Sequence, residues 1–330
     1  MFQPQAYGAV LIVMLASMLC WGSWANTRKL TQGYSFSLFY WDYVIGIVLG
    51  SLLWGFTLGS LNGGPTAFLA NLHASDHGHL LYALAGGIVF NIANLLLVAA
   101  IDVAGMAVAF PVGIGLALIV GVVLNYILNP AGNPLLIFGG VALVGVAILL
   151  DAMAYKRREA SGSVSRRGVV LSIVSGILMG TFFPLVAKST LGESALGPYV
   201  VAFVFSLGVA ACTVPLNSLL MKHSLTGEPV TTFAQYRAAK GSWHFWGAIG
   251  GAIWCTGAVA SFVASKANLV GPAVSYAIGQ GATMVSAIWG VFVWKEFATA
   301  PQASRRLIPW MFLFFLAGLG CIAIAPLVSH

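Results

Sequence analysis

Almost the whole chain is built of apolar runs of about twenty residues, the length a helix needs to cross a bilayer, broken by short polar, glycine- or proline-containing segments. Ten such runs stand at roughly 8–27, 38–59, 79–100, 104–127, 133–153, 169–190, 197–221, 243–265, 270–293 and 307–327. None alternates apolar and polar residues with a period of two, so a membrane barrel is excluded. Lipid then admits only helices, because every backbone group must be satisfied within its own segment. The pattern predicts an all-α integral membrane protein of ten transmembrane helices.

A second pattern lies on top of the first. ALAGGIVFNIANLLLVAAIDVAGMAVAFPVGIG at 83–115 is echoed by GAIGGAIWCTGAVASFVASKANLVGPAVSYAIGQG at 247–281, an offset of 164 residues in a chain of 330. Gly86-Gly87 falls on Gly250-Gly251; with a two-residue insertion, Ala107-Val108 falls on Ala273-Val274, Phe110 on Tyr276, Gly113 on Gly279 and Gly115 on Gly281. Two successive helices thus occur twice, and the chain reads as a doubled unit. The first and sixth runs also echo each other, Cys20-Trp-Gly-Ser-Trp24 against Leu178-Met-Gly-Thr-Phe182. The basic stretch KRREASGSVSRR at 156–167 separates five spans from five. The expected organisation is an N-terminal five-helix repeat at 1–155, a basic linker at 156–168 and a C-terminal repeat at 169–330. An odd number of spans per half makes the two repeats inverted, the arrangement that alternating access uses.

Composition agrees: 59% of residues are hydrophobic and 7% charged, against roughly a quarter charged in soluble domains. The net charge of +7 would suggest nucleic acid in a soluble protein. Here the basic residues mark topology instead. Thirteen of the fifteen Lys and Arg residues fall in odd-numbered loops, and only Lys188 and Lys266 in even ones. Odd loops are therefore expected in the cytoplasm and both termini outside, in a cell inner (plasma) membrane. No positive charge precedes the first apolar run, so that run is expected to stay in the mature protein. Cys20, Cys212, Cys255 and Cys321 all lie inside apolar runs, as packing residues. Gly46/Gly50, Gly55/Gly59, Gly176/Gly180 and Gly247/Gly251, each pair four apart, are expected at close helix contacts. TTFAQYRAAK in the seventh loop reads either as a short interfacial helix or as plain loop.

No enzyme signature is present, and no phosphate-binding glycine loop followed by Lys-Ser/Thr, so ATP drive is not expected. The informative groups are polar side chains at mid-membrane depth, which are costly in lipid and tend to face a cavity. Trp24 and Asn26 lie in the inner half of the first span, Asn91 and Asn94 mid-way along the third, Thr181 near the middle of the sixth, Trp254 mid-eighth, and Tyr276 and Gln280 in the ninth. Each has a plainer reading as interhelical hydrogen bonding or packing. The functional reading is a pocket of amides, which offer donors and acceptors, and indoles, which stack on flat solutes. Such a pocket suits a neutral heterocycle or sugar. Asp42, about one turn into the second span, is the candidate proton-coupling group; its other reading is an interfacial pair with Arg28 or Lys29. Asp151 and Glu296 read as surface pairs at span ends. Lys188 and Lys266 stand at outer span ends, either snorkelling or forming a gate with Glu193. HASDHGH at 73–79 has His at i and i+4, but Gly78 opposes a long helix, and neither a metal nor a cofactor is expected.

Taken together, Cys20-Trp-Gly-Ser-Trp-Ala-Asn26, Tyr40-Trp-Asp-Tyr43, Ala85-Gly-Gly87, Asn94, Leu124-Asn-Tyr126, Pro198-Tyr199 and Trp289-Gly290 through Trp294-Lys-Glu296 resemble the ureide permease family of the drug/metabolite transporter superfamily. The glucose/ribose porter group looks similar in the same regions. The resemblance implies two inverted five-helix halves and proton-coupled uptake of allantoin-like ureides and nucleobases, or of sugars. This chain departs from plant members in lacking their long central hydrophilic loop. The expected partners are a small polar solute, H+, the bilayer and a second copy in a homodimer, with no nucleic acid; export of drugs, amino acids or other metabolites is the alternative function.

Overall fold

The structure, a computed structural model, describes residues 1–104, 106–158, 165–223 and 229–328. Among the described residues the regular structure is all helical, with ten helices long and apolar enough to cross a membrane: α1 (Tyr7–Lys29), α2 (Phe36–Ser60), α3 (His77–Ile101), α4 (Pro111–Leu128), α5 (Pro134–Arg158), α6 (Arg166–Ser189), α7 (Pro198–Lys222), α8 (Gly241–Lys266), α9 (Gly271–Val293) and α10 (Gln302–Val328). This is the expected count, with most ends within a few residues. The clearest difference is α5, which runs on to Arg158. Part of the linker read from the sequence is therefore helix, and residues 159–164 lie outside the described residues, as do the side chains of Ala107, Val108 and Phe110 in the repeat.

The helices pair in a regular way. α3 packs on α6 and α7, and α8 on α1 and α2; α6 packs on α4, and α1 on α9. α2 meets α7, α4 meets α9 and α5 meets α10. Exchanging each helix for the one five places on reproduces these main pairings.

Small residues make the close approaches. A side chain at Gly251 of α8 would overlap the Tyr43 carbonyl oxygen of α2, and one at Gly87 of α3 would overlap the Phe205 carbonyl of α7. The two glycines aligned in the repeat thus do the same job in corresponding helix pairs. Gly46 meets Ala248, and Gly176 and Gly180 meet the backbone and side chains of α4. Gly55 and Gly59 sit against Phe68 and Tyr199. All four glycine pairs singled out in the sequence thus stand at close contacts. The four cysteines are free.

Two spans are irregular, α1 near the end that carries the first loop and α9 at mid-depth. α1 is helical over Tyr7–Ser23, turns at Trp24 and Ala25, and resumes at Asn26–Lys29. α9 is broken at Gly281, between Gly271–Gln280 and Ala282–Ile288, and ends in a π-turn at Trp289–Val293. Broken spans are tolerated where the backbone lines a cavity rather than lipid. Of the two readings for the seventh loop, the helical one holds: Phe233–Arg237 is a short helix, started by a capping box between Thr232 and Gln235.

Candidate functional site

The breaks in α1 and α9 border a cavity of about 420 Å3. It reaches from mid-depth, at Phe90, Phe182 and Trp254, to the end of the bundle that carries the odd-numbered loops, where Arg28, Lys29, Asp151 and Glu296 surround its mouth. Toward the opposite end the space above it is filled by rings: Phe182, Phe183, Phe205, Phe262 and Tyr276 pack at centroid distances of 5.1–6.2 Å.

Five of the eight residues chosen from the sequence as solute-binding line this cavity: Trp24, Asn26, Asn94, Trp254 and Gln280. Trp24 lies against the Tyr43 ring at 4.6 Å. Trp254 is held between Trp21, 6.0 Å away, and Phe90, 4.3 Å away. The Trp21 indole N–H donates to the Trp254 carbonyl at 3.2 Å, fixing α1 on α8. Asn94 spends its Nδ2 on the Tyr40 hydroxyl at 3.1 Å. Its Oδ1 has no partner among the described residues, nor has the Gln280 amide or the Trp254 indole N–H. Unbonded polar groups facing a cavity are the chemistry a solute can use.

The other three sit outside the lining. Asn91 is buried, and its Oδ1 accepts from the Tyr40 hydroxyl at 2.7 Å and the Thr213 hydroxyl at 3.2 Å, linking α3 to α2 and α7. Tyr276 is buried, and its hydroxyl donates to the Ala117 and Met179 carbonyls at 3.1 and 3.3 Å. Thr181 donates back to the Leu178 carbonyl at 2.8 Å.

Asp42 is 3% exposed and lies outside the cavity lining. The Tyr34 hydroxyl donates to it at 2.8 Å and the Tyr236 hydroxyl at 2.5 Å, and His244 Nδ1 lies 2.9 Å from Oδ1. The pairing with Arg28 or Lys29 weighed from the sequence gives way to this cage. Both tyrosines lie outside the spans. Burial first, then the hydrogen bond to Asp42, pushes each phenol well above its ordinary range, so both remain donors. Gly247 leaves room for Asp42, since a Cβ there would lie 2.5 Å from the Asp42 Cβ.

The pairing expected of Glu296 at a span end is present, and it stands at the cavity mouth. Glu296 binds Lys29 at 2.5 Å and Arg158 at 3.2 Å, and accepts from the Tyr155 hydroxyl at 3.0 Å. Partial burial alone would raise its pKa, but these partners outweigh it and hold the carboxyl below the usual range. The Trp294 indole donates to Asn26 Oδ1 at 2.5 Å and the Trp289 indole to Ser23 at 2.9 Å, so the end of α9 is laced to α1. Asp151, read from the sequence as a surface pair, instead lines the cavity and has no hydrogen-bond or ion-pair partner among the described residues.

At the opposite end Lys266 donates to the Thr190 carbonyl at 2.5 Å, tying α8 to the end of α6, and Lys188 lies 5.0 Å over the Tyr82 ring. Neither pairs with Glu193 among the described residues. In the second loop Asp76 binds His79, whose other ring nitrogen is 2.7 Å from the Leu191 carbonyl. That hydrogen bond holds Asp76 below its ordinary range. Among the described residues no three His, Cys, Asp or Glu side chains gather closely enough to hold a metal ion.

Comparison with known proteins bears on this geometry. The family profile described as "Ureide permease" matches residues 39–167. Ureide permease 1 of Arabidopsis thaliana is 21% identical over an alignment covering 100% of this chain and 98% of the relative. Ureide permease 2 of the same plant is 21% identical over 98% of each. A crystal structure of a protein 14% identical superposes with a TM-score of 0.67 over 98% of this chain and 99% of that one, which establishes a shared fold. The profile match and the full-length relatives agree in making this chain of ten candidate membrane spans similar to the ureide permeases.

Proposed function

We propose that the chain takes up a small neutral ureide-like solute together with a proton, by rocking two inverted five-helix halves around the central cavity. The observation that carries this reading is the set of unbonded polar groups on the cavity wall: Asn94 Oδ1, the Gln280 amide and the Trp254 indole N–H, beside the flat faces of Trp24 and Trp254. A ureide is flat, uncharged and alternates N–H donors with carbonyl acceptors. It can meet the amides with both kinds of bond while stacking on an indole. The names of the full-length relatives support the same solute class.

The helix pairing supports the inverted halves, residues 1–155 and 169–330, because the main contacts survive the exchange of each helix for the one five places on. The basic odd loops support placing their end in the cytoplasm of the cell's inner or plasma membrane, with both termini outside. The cavity then faces the cytoplasm. Lys266 on Thr190, and Lys188 on Tyr82, act as ties of the closed outer gate.

The test is a thermal-shift screen of the purified protein against allantoin, uracil and glucose. Binding to the folded state alone raises stability by about 2.7 kcal/mol at a hundredfold excess over Kd. Stabilisation by allantoin or uracil is expected. Stabilisation by glucose alone would overturn the ureide assignment.

A further inference from the structure

Transport coupled to protons needs a group that binds a proton and reaches the chamber the solute occupies. We propose that Asp151 is that group, an inference that rests on the proton-coupled reading above. Among the described residues the cavity is lined by two carboxylates. Glu296 is spoken for by Lys29, Arg158 and Tyr155. Asp151 has no such partner, and its side chain is partly buried on the cavity wall. An ionised carboxylate without a partner is costly away from bulk water, and taking up a proton removes that cost.

The setting suits reversible protonation. Asp151 lies seven residues inside the end of α5, about 10 Å from Arg158 along the axis. Glu296 and Tyr155 stand at the same mouth with Arg158, and Arg28 and Lys29 stand on the α1 side. With Glu296 negative, a second negative charge on Asp151 is disfavoured. When Lys29 or Arg158 shifts from Glu296 toward the cavity, that balance reverses and the proton leaves to the cytoplasm through the mouth. No bond other than the O–H is made or broken, and no redox partner is needed. Asp42 lacks the required access: it is buried, off the cavity, and held by two hydroxyls and an imidazole.

The experiment uses the full chain in proteoliposomes with an imposed gradient of one pH unit, allantoin, uracil and glucose being supplied in turn. With one proton per solute the gradient supports about tenfold accumulation. The expected result is that wild type accumulates solute, that Asp151→Asn exchanges labelled for unlabelled solute at the wild-type rate but accumulates none, and that Asp151→Glu accumulates with a displaced pH profile. Infrared difference spectra over a pH titration should show a protonated-carboxyl band in wild type that Asp151→Asn lacks.

Accumulation by wild type and Asp151→Asn alike would overturn the role of Asp151 and leave proton coupling standing. Loss of exchange as well as accumulation in Asp151→Asn would make Asp151 a solute ligand instead. A wild type that exchanges solute but ignores the gradient would overturn proton coupling, and this inference with it. A wild type that moves none of the three solutes overturns both. Should Asp151→Asn fail to fold, a gradient-blind Asp151→Glu that still exchanges would also count against the proposal.

Discussion

Two aspartates within the spans show how differently one side chain can be used. Asp42 on α2 is enclosed by Tyr34, Tyr236 and His244, which reach it from the loop before α2, the short helix before α8, and α8 itself. Asp151 on α5 borders the cavity with no partner among the described residues. A caged carboxylate fastens elements together, because each donor is lost if its segment moves. A bare one beside a cavity does little for the fold, and its charge is free to follow its surroundings. On the proposal above, Asp42 holds the bundle and Asp151 does the work of transport.

The sharpest way to break that contrast is thermal unfolding in detergent. Removing one member of a buried, hydrogen-bonded charged cluster costs about 3 kcal/mol, so Asp42→Asn should unfold well below wild type. Asp151→Asn should unfold at or above wild type, since no bond is lost and an uncompensated charge is removed. Equal losses would mean that Asp151 has a structural partner after all. Gly247→Ala, whose methyl would press on Asp42, should reproduce the Asp42 phenotype at about 1–3 kcal/mol.

The ligand side gives the next effect. Asn94→Ala removes one cavity-facing amide and should weaken solute binding about tenfold, the worth of one hydrogen bond of about 1.4 kcal/mol. Asn91→Ala should instead lower stability and leave affinity unchanged, because among the described residues the Asn91 side chain bonds Tyr40 and Thr213 and lies outside the cavity lining. Calorimetric titration separates the two.

The smallest effect belongs to the mouth. Glu296 has its carboxyl held below the ordinary glutamate value of 4.5 in the folded protein. Its contribution is therefore fully present above that value, and is lost as the pH falls through the lower folded value. Glu296→Gln should cost about 1 kcal/mol at neutral pH, as a partly exposed ion pair does. It should also flatten the acid limb of the stability curve, read by thermal unfolding from pH 7 to pH 3. An unchanged acid limb would show that the lacing of α9 to α1 and α5 does not depend on this charge.

The bundle was legible in the sequence because lipid leaves few options: an apolar run of the right length has to be a helix, and close helix contacts need small residues. Gly87 and Gly251 were found by the repeat and stand at corresponding contacts. The site was legible only in depth. Trp24, Asn26, Asn94, Trp254 and Gln280 were chosen for lying mid-membrane, and they line the cavity. Asn91 and Tyr276 lie equally deep but turn toward neighbouring helices, and a single sequence does not show which way a buried amide or phenol faces. Asp151 was missed for a definite reason. The apolar run ends near residue 153, which makes 151 look terminal, but α5 continues for another turn and a half. Arg158 binds Glu296 there and stacks on the Tyr155 and Phe297 rings. Those tertiary contacts carry the helix past its apolar stretch and draw Asp151 into the cavity wall. His244 escaped notice similarly, since its partner lies 202 residues away.

The most direct test sets the two aspartates side by side in proteoliposomes under one pH gradient. The account predicts that Asp42→Asn, in whatever fraction folds, keeps the wild-type accumulation ratio, while Asp151→Asn exchanges solute but equilibrates at a ratio of about one, as an uncoupled carrier must. Accumulation retained by Asp151→Asn and lost by Asp42→Asn would contradict it.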